Sequence, residues 1–162
     1  MASDDSAGLI QPCSAGDLKK NTVGMISGRP CKILEVSVSK TGKHGHAKCS
    51  ITAQCVFSGK KYTDVQPSHA HMYMANISKK EYQLVSLDAK ENTATLLNDE
   101  GEEYQVNLEG EVAADLLANA DLESQDKDVF VTVSTGPIMK PGTDEVVKHE
   151  QISQWKYQSV TN

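Results

Sequence analysis

Apolar and polar side chains alternate along two neighbouring stretches in the first half of this chain. In the first, Leu34, Val36 and Val38 interleave with Glu35, Ser37 and Ser39; in the second, Ala47, Cys49, Ile51, Ala53 and Cys55 interleave with Lys48, Ser50, Thr52 and Gln54. A period of two predicts half-buried β-strands, and a short glycine-bearing connector between two of them predicts a hairpin. From Asp17 to about Leu84, further short runs are broken by turn signals at 21–24, 28–30, 58–60 and 65–68. Short strands at that spacing, with almost no helical periodicity, predict a small barrel. Residues 1–16 are polar and patternless and are read as a disordered lead-in.

The second half carries a different pattern. Strand-like runs at 82–87, 93–97 and 103–108 are separated by polar turns and followed by GEVAADLLANADLE. In that segment Val112, Leu116, Leu117 and Ala120 share one helical face, and Glu111 adds a favourable negative charge at the N-terminal end. Val129, Phe130, Val131 and Val133 predict another strand, Gly136, Pro137, Pro141 and Gly142 a turn region, and 151–157 a final strand. Three strands, a helix, then one or two strands is the order of an OB barrel. The expected fold class is all-β with one short helix. Its two domains are a first barrel over 17–80 and an OB-fold domain over 81–162, with a linker near 76–81.

Between the two alternating strands of the first half lies SKTGKHGHAK, Ser39 to Lys48. Gly42 and Gly45 take positive φ without steric cost, so the backbone can turn sharply on both sides of Lys43 and present its amine to solvent. Lys40 and Lys48 flank it, and no acid lies between Ser39 and Ser50. Such a positive prong suits phosphate. The like charges modestly favour loss of the Lys43 proton, an effect that solvent and salt screen.

This loop, with GRPCKILEVSVSK (Gly28 to Lys40) before it and FSGKKYTDVQPS (Phe57 to Ser68) after it, closely resembles the eukaryotic translation factor 5A family. The resemblance implies an SH3-like barrel followed by an OB-fold barrel. It implies that Lys43 carries hypusine, made when deoxyhypusine synthase transfers the aminobutyl group of spermidine and deoxyhypusine hydroxylase adds a hydroxyl. No other cofactor is expected. Lys40, Thr41, Gly42, His44, Gly45, His46 and Lys48 become the modification loop and its contacts to tRNA and rRNA. The partners implied are the large ribosomal subunit on its exit-site side, peptidyl-tRNA, the two modifying enzymes and a second copy in a weak homodimer. The role implied is cytoplasmic and non-enzymatic: a ribosome-binding translation factor that promotes peptide-bond formation at stalling sequences such as proline runs, and termination. Residues 67–77 depart from the family's usual Pro-Ser-Thr-His-Asn run.

Charge sharpens this reading. Up to Leu84 there are eleven Lys and Arg against six Asp and Glu, a balance of +5; from Val85 there are five against sixteen, a balance of −11, and the two sum to the chain's −6. A basic first half suits a polyanion, whereas an acidic second half disfavours bare phosphate. Two other readings of the residues stay open. One is a zinc site, since His44 with His46 and His69 with His71 are i, i+2 pairs near Cys49. The other is a non-ribosomal RNA-binding β-barrel using Tyr104, Phe130, Trp155 and Tyr157 for stacking. Cys13, Cys31, Cys49 and Cys55 form no CxxC pair and read as reduced, partly buried thiols. No phosphate loop, nucleophile elbow or HExxH motif is present, and neither a membrane span nor a signal peptide is expected.

Overall fold

A computed structural model describes residues 8–40, 47–143 and 145–160. The chain forms two compact units, 1–77 with 136–149 and 78–135 with 150–162. They are therefore not two consecutive blocks, as the sequence pattern suggested. The chain passes between units at 77/78, inside the expected linker, and again at 135/136 and 149/150.

The first unit is built on a six-stranded antiparallel sheet in the order β1-β6-β2-β3-β4-β5. The strands are β1 (Ile10–Ser14), β2 (Val23–Ile26), β3 (Arg29–Lys40), β4 (Ala47–Cys55), β5 (Lys61–Pro67) and β6 (His71–Ala75). This is the small SH3-like barrel expected. Residues 10–14 are not a disordered lead-in: they pair with β6 from Ile10↔Ala75 to Ser14↔His71, and a 3-10 turn follows at Ala15–Asp17. Polarity hid this strand, because Gln11 and Pro12 face outward while Ala15 and Leu18 behind them are buried. Between β2 and β3 the turn is Ser27-Gly28, both at positive φ (54° and 77°), as a two-residue type I′ hairpin requires. The expected turn at 28–30 thus sits one or two residues earlier, and Pro30 is already in β3.

β3 holds a bulge at Leu34. Ile33 faces Ala53, but the next registered pairs are Glu35↔Thr52 and Val36↔Ile51. The extra residue shifts the phase of the strand, so its core face is Cys31 and Ile33 before the bulge and Val36 after it. On β4 the alternation is unbroken: Cys49, Ile51, Ala53 and Cys55 are buried and Lys48 and Ser50 are exposed. Together with Ala15, Leu18 and Ile26 these residues make the unit's core. Val38, read as a core-facing position, is 64% exposed.

The second unit has a five-stranded antiparallel sheet in the order β11-β10-β7-β8-β9. Its strands are β7 (Ser78–Asp88), β8 (Thr93–Leu97), β9 (Glu103–Asn107), β10 (Lys127–Met139) and β11 (Val146–Ser159), and α1 (Gly110–Asn119) lies between β9 and β10. This is the OB order predicted, with two strands after the helix. Leu116 and Ala113 of α1 are buried against Leu84, Leu96, Val106, Val129, Val131 and Ile152, with Val112, Leu117 and Ala120 packed at the margin. Gly136 and Pro137 are not in a turn but inside β10; the reversal comes at 140–145, where Lys140 and Glu145 form an ion pair at 3.3 Å. Gly136 and Pro137 are buried, and a Cβ on Gly136 would stand 2.3 Å from Ile77 Cδ1, so glycine here serves close packing rather than turning.

Candidate nucleic-acid interface at the β3–β4 hairpin

β3 and β4 stay in register to their last residues, with Ser39 opposite Lys48 and Lys40 opposite Ala47. Neighbouring strands hold this end of the hairpin in place. Lys48 also faces Pro67 of β5, the Ser68 N–H donates to the Ala47 carbonyl (2.9 Å), and the Gly16 N–H donates to the Ser68 carbonyl (2.7 Å). The two strands therefore end as a supported platform rather than a free ribbon. Lys40 and Lys48 are both exposed at that end. Thr41, Gly42, Lys43, His44, Gly45 and His46 lie outside the described residues.

Beside the hairpin runs a cavity of about 530 Å³ whose lining includes Lys19, Lys20, Leu34, Val36 and Val38, with one acid, Glu35. Lys19 and Lys20 are exposed. Four lysines therefore lie on or next to the hairpin. Glu35 and Asp17 are the nearby acids in sequence, and an Asp17 carboxylate oxygen accepts the Ser14 N–H at 2.9 Å. Lys19 and Lys20 carry no motif in the sequence. Their only trace in the sequence is the +5 balance, since an adjacent lysine pair has no periodicity to locate it.

Of the residues offered for a zinc site, Cys49, His69 and His71 are described, and they form no metal-holding group. Cys49 is fully buried and faces the core. His69 sits in the turn closed by Ala70 N–H to the Pro67 carbonyl (2.9 Å), and His71 opens β6 with its ring edge-on to Tyr73, so the two are not successive same-face positions of one strand. Among the described residues no three His, Cys, Asp or Glu side chains are grouped to hold a metal ion.

Three of the aromatics offered for base stacking in the second unit are already engaged. Tyr104 stacks on Tyr82 with centroids 5.5 Å apart and donates its hydroxyl to Glu150. Burial, then the Glu150 carboxylate, hold the Tyr104 hydroxyl above the usual phenol range, so it remains a neutral donor. Trp155 donates its indole N–H to Asp115 at 2.9 Å and meets Tyr157 edge-on, while Lys127 lies 4.0 Å over the Tyr157 ring. With these three rings committed internally in an acidic half, the described residues present no basic groove built on them for base stacking. Among the described residues no helix is long and apolar enough to cross a membrane.

Comparison with known proteins agrees with this architecture. Residues 9–70 match the family model described as translation initiation factor 5A-like, N-terminal. Eukaryotic translation initiation factor 5A-2 of Medicago sativa is 42% identical over 100 residues, 62% of this chain and 62% of its own length. Factor 5A-1 of Arabidopsis thaliana is 41% identical over 100 residues, 62% of this chain and 63% of its own length. The match thus spans about three fifths of these relatives. Among solved structures, a translation initiation factor 5A family protein from Naegleria fowleri superposes with a TM-score of 0.72 at 32% identity, covering 91% of this chain and 98% of that one. Eukaryotic translation initiation factor 5A from Methanococcus jannaschii shares the fold at a TM-score of 0.55 and 20% identity. With both barrels and the hairpin region matched, the chain belongs to the translation initiation factor 5A family.

Proposed function

We propose that this protein is a non-enzymatic factor that binds the ribosome and uses Lys43, extended to hypusine, to steady the acceptor end of peptidyl-tRNA during slow peptide-bond formation and termination. The observation that carries this reading is the registered end of the β3–β4 hairpin: Lys43 lies three residues past Lys40 and five before Lys48, both exposed on a supported platform. A rigid platform lowers the entropy lost when a long amine engages RNA, and holding a reactant in place is a recognised share of catalysis. Lys19, Lys20, Lys40 and Lys48 supply phosphate contacts around that amine, while Thr41, Gly42, His44, Gly45 and His46 belong to the stretch that the modifying enzymes and RNA recognise. The modification itself requires deoxyhypusine synthase with spermidine, then deoxyhypusine hydroxylase.

The test is translation of a message encoding a proline run by purified ribosomes and factors. Modified protein should raise the rate of synthesis through the run, and Lys43→Arg, which keeps charge but cannot accept the aminobutyl group, should not. Equal stimulation by Lys43→Arg would end this reading.

A further inference from the structure

Cys31 of β3 and Cys55 of β4 are direct cross-strand partners. The type of pair follows from the hydrogen bonds around it. The Val56 N–H donates to the Pro30 carbonyl at 2.9 Å, while the Cys55 N–H turns the other way to the Lys60 carbonyl at 2.8 Å. The pair is therefore a non-hydrogen-bonded one, the kind whose Cα atoms approach to about 4.5 Å and whose side chains lie closest. That separation falls inside the range of roughly 4.4–6.8 Å that a disulfide spans without moving the backbone. Both side chains point into the same core, at 0% and 2% exposure.

The other two cysteines have different neighbours: Cys49 stands opposite Val38, and Cys13 opposite Met72. Cys49 is six residues from Cys55 along one strand, roughly 20 Å away, too far to compete.

We propose that Cys31 and Cys55 form a reversible redox pair, closing to a cross-strand disulfide at the base of the β3–β4 hairpin with a peroxide as oxidant. Cys55 is the attacking sulfur. It accepts a hydrogen bond from the Ser58 N–H at 3.4 Å, while the Cys31 thiol lies 3.5 Å from the Arg29 carbonyl. The pairing with Cys31 and the Ser58 donor hold the Cys55 thiol below its ordinary range, against burial, and the same pairing with burial holds Cys31 above it. The Cys55 thiolate attacks one peroxide oxygen, the O–O bond breaks, and hydroxide leaves, giving a sulfenic acid. Cys31 then attacks that sulfur and forms the S–S bond. The sulfenic oxygen departs as hydroxide. The two hydroxides take up the two thiol protons, so two thiols and hydrogen peroxide give one disulfide and two waters. Cys55 is the last residue of β4, and the turn after it is tied to it by the Gly59 N–H to its carbonyl (3.0 Å) and the Ser58 N–H to its sulfur, so opening that turn admits an oxidant as small as hydrogen peroxide. The disulfide staples the two strands that flank residues 41–46.

Reduced full-length protein should be treated with hydrogen peroxide, blocked with N-ethylmaleimide after denaturation, and mapped by proteolysis without reductant. The expected result is a Cys31–Cys55 linked peptide, an intact mass lower by two hydrogens, and reversal by dithiothreitol. Because Cys49 and Cys55 share a tryptic peptide, fragment ions or a Cys49→Ala variant assign the link. The oxidised form should melt roughly 5–10 °C higher than the reduced form, since the link closes a loop of intermediate length. Cys31→Ala and Cys55→Ala should each abolish the link, whereas Cys13→Ala should not. Alkylation of both Cys31 and Cys55 after peroxide, a sulfinic acid at Cys55 with Cys31 free, or a link through Cys49 would each overturn the proposal.

Discussion

Ser39 and Lys48 face each other one pair short of the end of the β3–β4 ladder, so the hairpin is fixed in register up to Lys40 and Ala47. That order depends on the core beneath it. Ile51 is 1% exposed and stands opposite Val36, just past the bulge at Leu34. Ile51→Ala should destabilise the first unit by about 3 kcal/mol, combining lost transfer energy with a cavity. Urea unfolding followed by a first-unit probe reads this; a change below about 1 kcal/mol would mean the site refills and the hairpin base is not rigid.

In the second unit, Trp155 and Asp115 join β11 to α1 through the indole N–H. A double-mutant cycle with Trp155→Phe and Asp115→Ala should give a coupling of about 1 kcal/mol, the usual net worth of such a bond at a partly exposed position. Denaturant midpoints of the four proteins supply the cycle. Strict additivity would contradict the bond.

Gly110 begins α1 at a φ of 91°, and a Cβ there would lie 2.5 Å from Gln151 Nε2. Gly110→Ala combines left-handed strain with a clash against a buried side chain. The expected loss is about 1–3 kcal/mol. Thermal unfolding should show it as a lower midpoint, and an unchanged midpoint would mean that the backbone is free to leave positive φ.

The lysines around the hairpin predict a salt signature. Replacing Lys19 and Lys20 together by Ala should weaken ribosome binding and flatten its logarithmic salt dependence by about 1–2, because each phosphate contact contributes close to one unit of slope. Binding isotherms over a range of KCl concentrations measure it. An unaltered slope would remove these two residues from the interface.

Much of this molecule was legible in the sequence because strands buried on one face write their period directly. β4 is the clearest case, with Cys49, Ile51, Ala53 and Cys55 facing inward as read, and the β8 boundaries coincide with the run at 93–97. The misses share a physical cause. Alternation cannot report an extra residue, so the bulge at Leu34 hid the true core face of β3, where Cys31 and Ile33 precede Val36. Composition cannot report pairing, so β1, polar and containing Pro12, passed for a lead-in although β6 covers it. Gly136-Pro137 read as a turn because both residues usually break strands, yet both lie buried inside β10, where Gly136 packs closely against Ile77 and Phe57. The candidate site was legible as a motif, whereas Lys19 and Lys20 became part of it only through the fold.

The most direct measurement is peptide mapping by mass spectrometry after incubating the reduced protein with deoxyhypusine synthase, spermidine and NAD. The account predicts an increment of one aminobutyl group on Lys43 alone, absent from Lys43→Arg. No increment, or an increment on Lys40 or Lys48 instead, would contradict it.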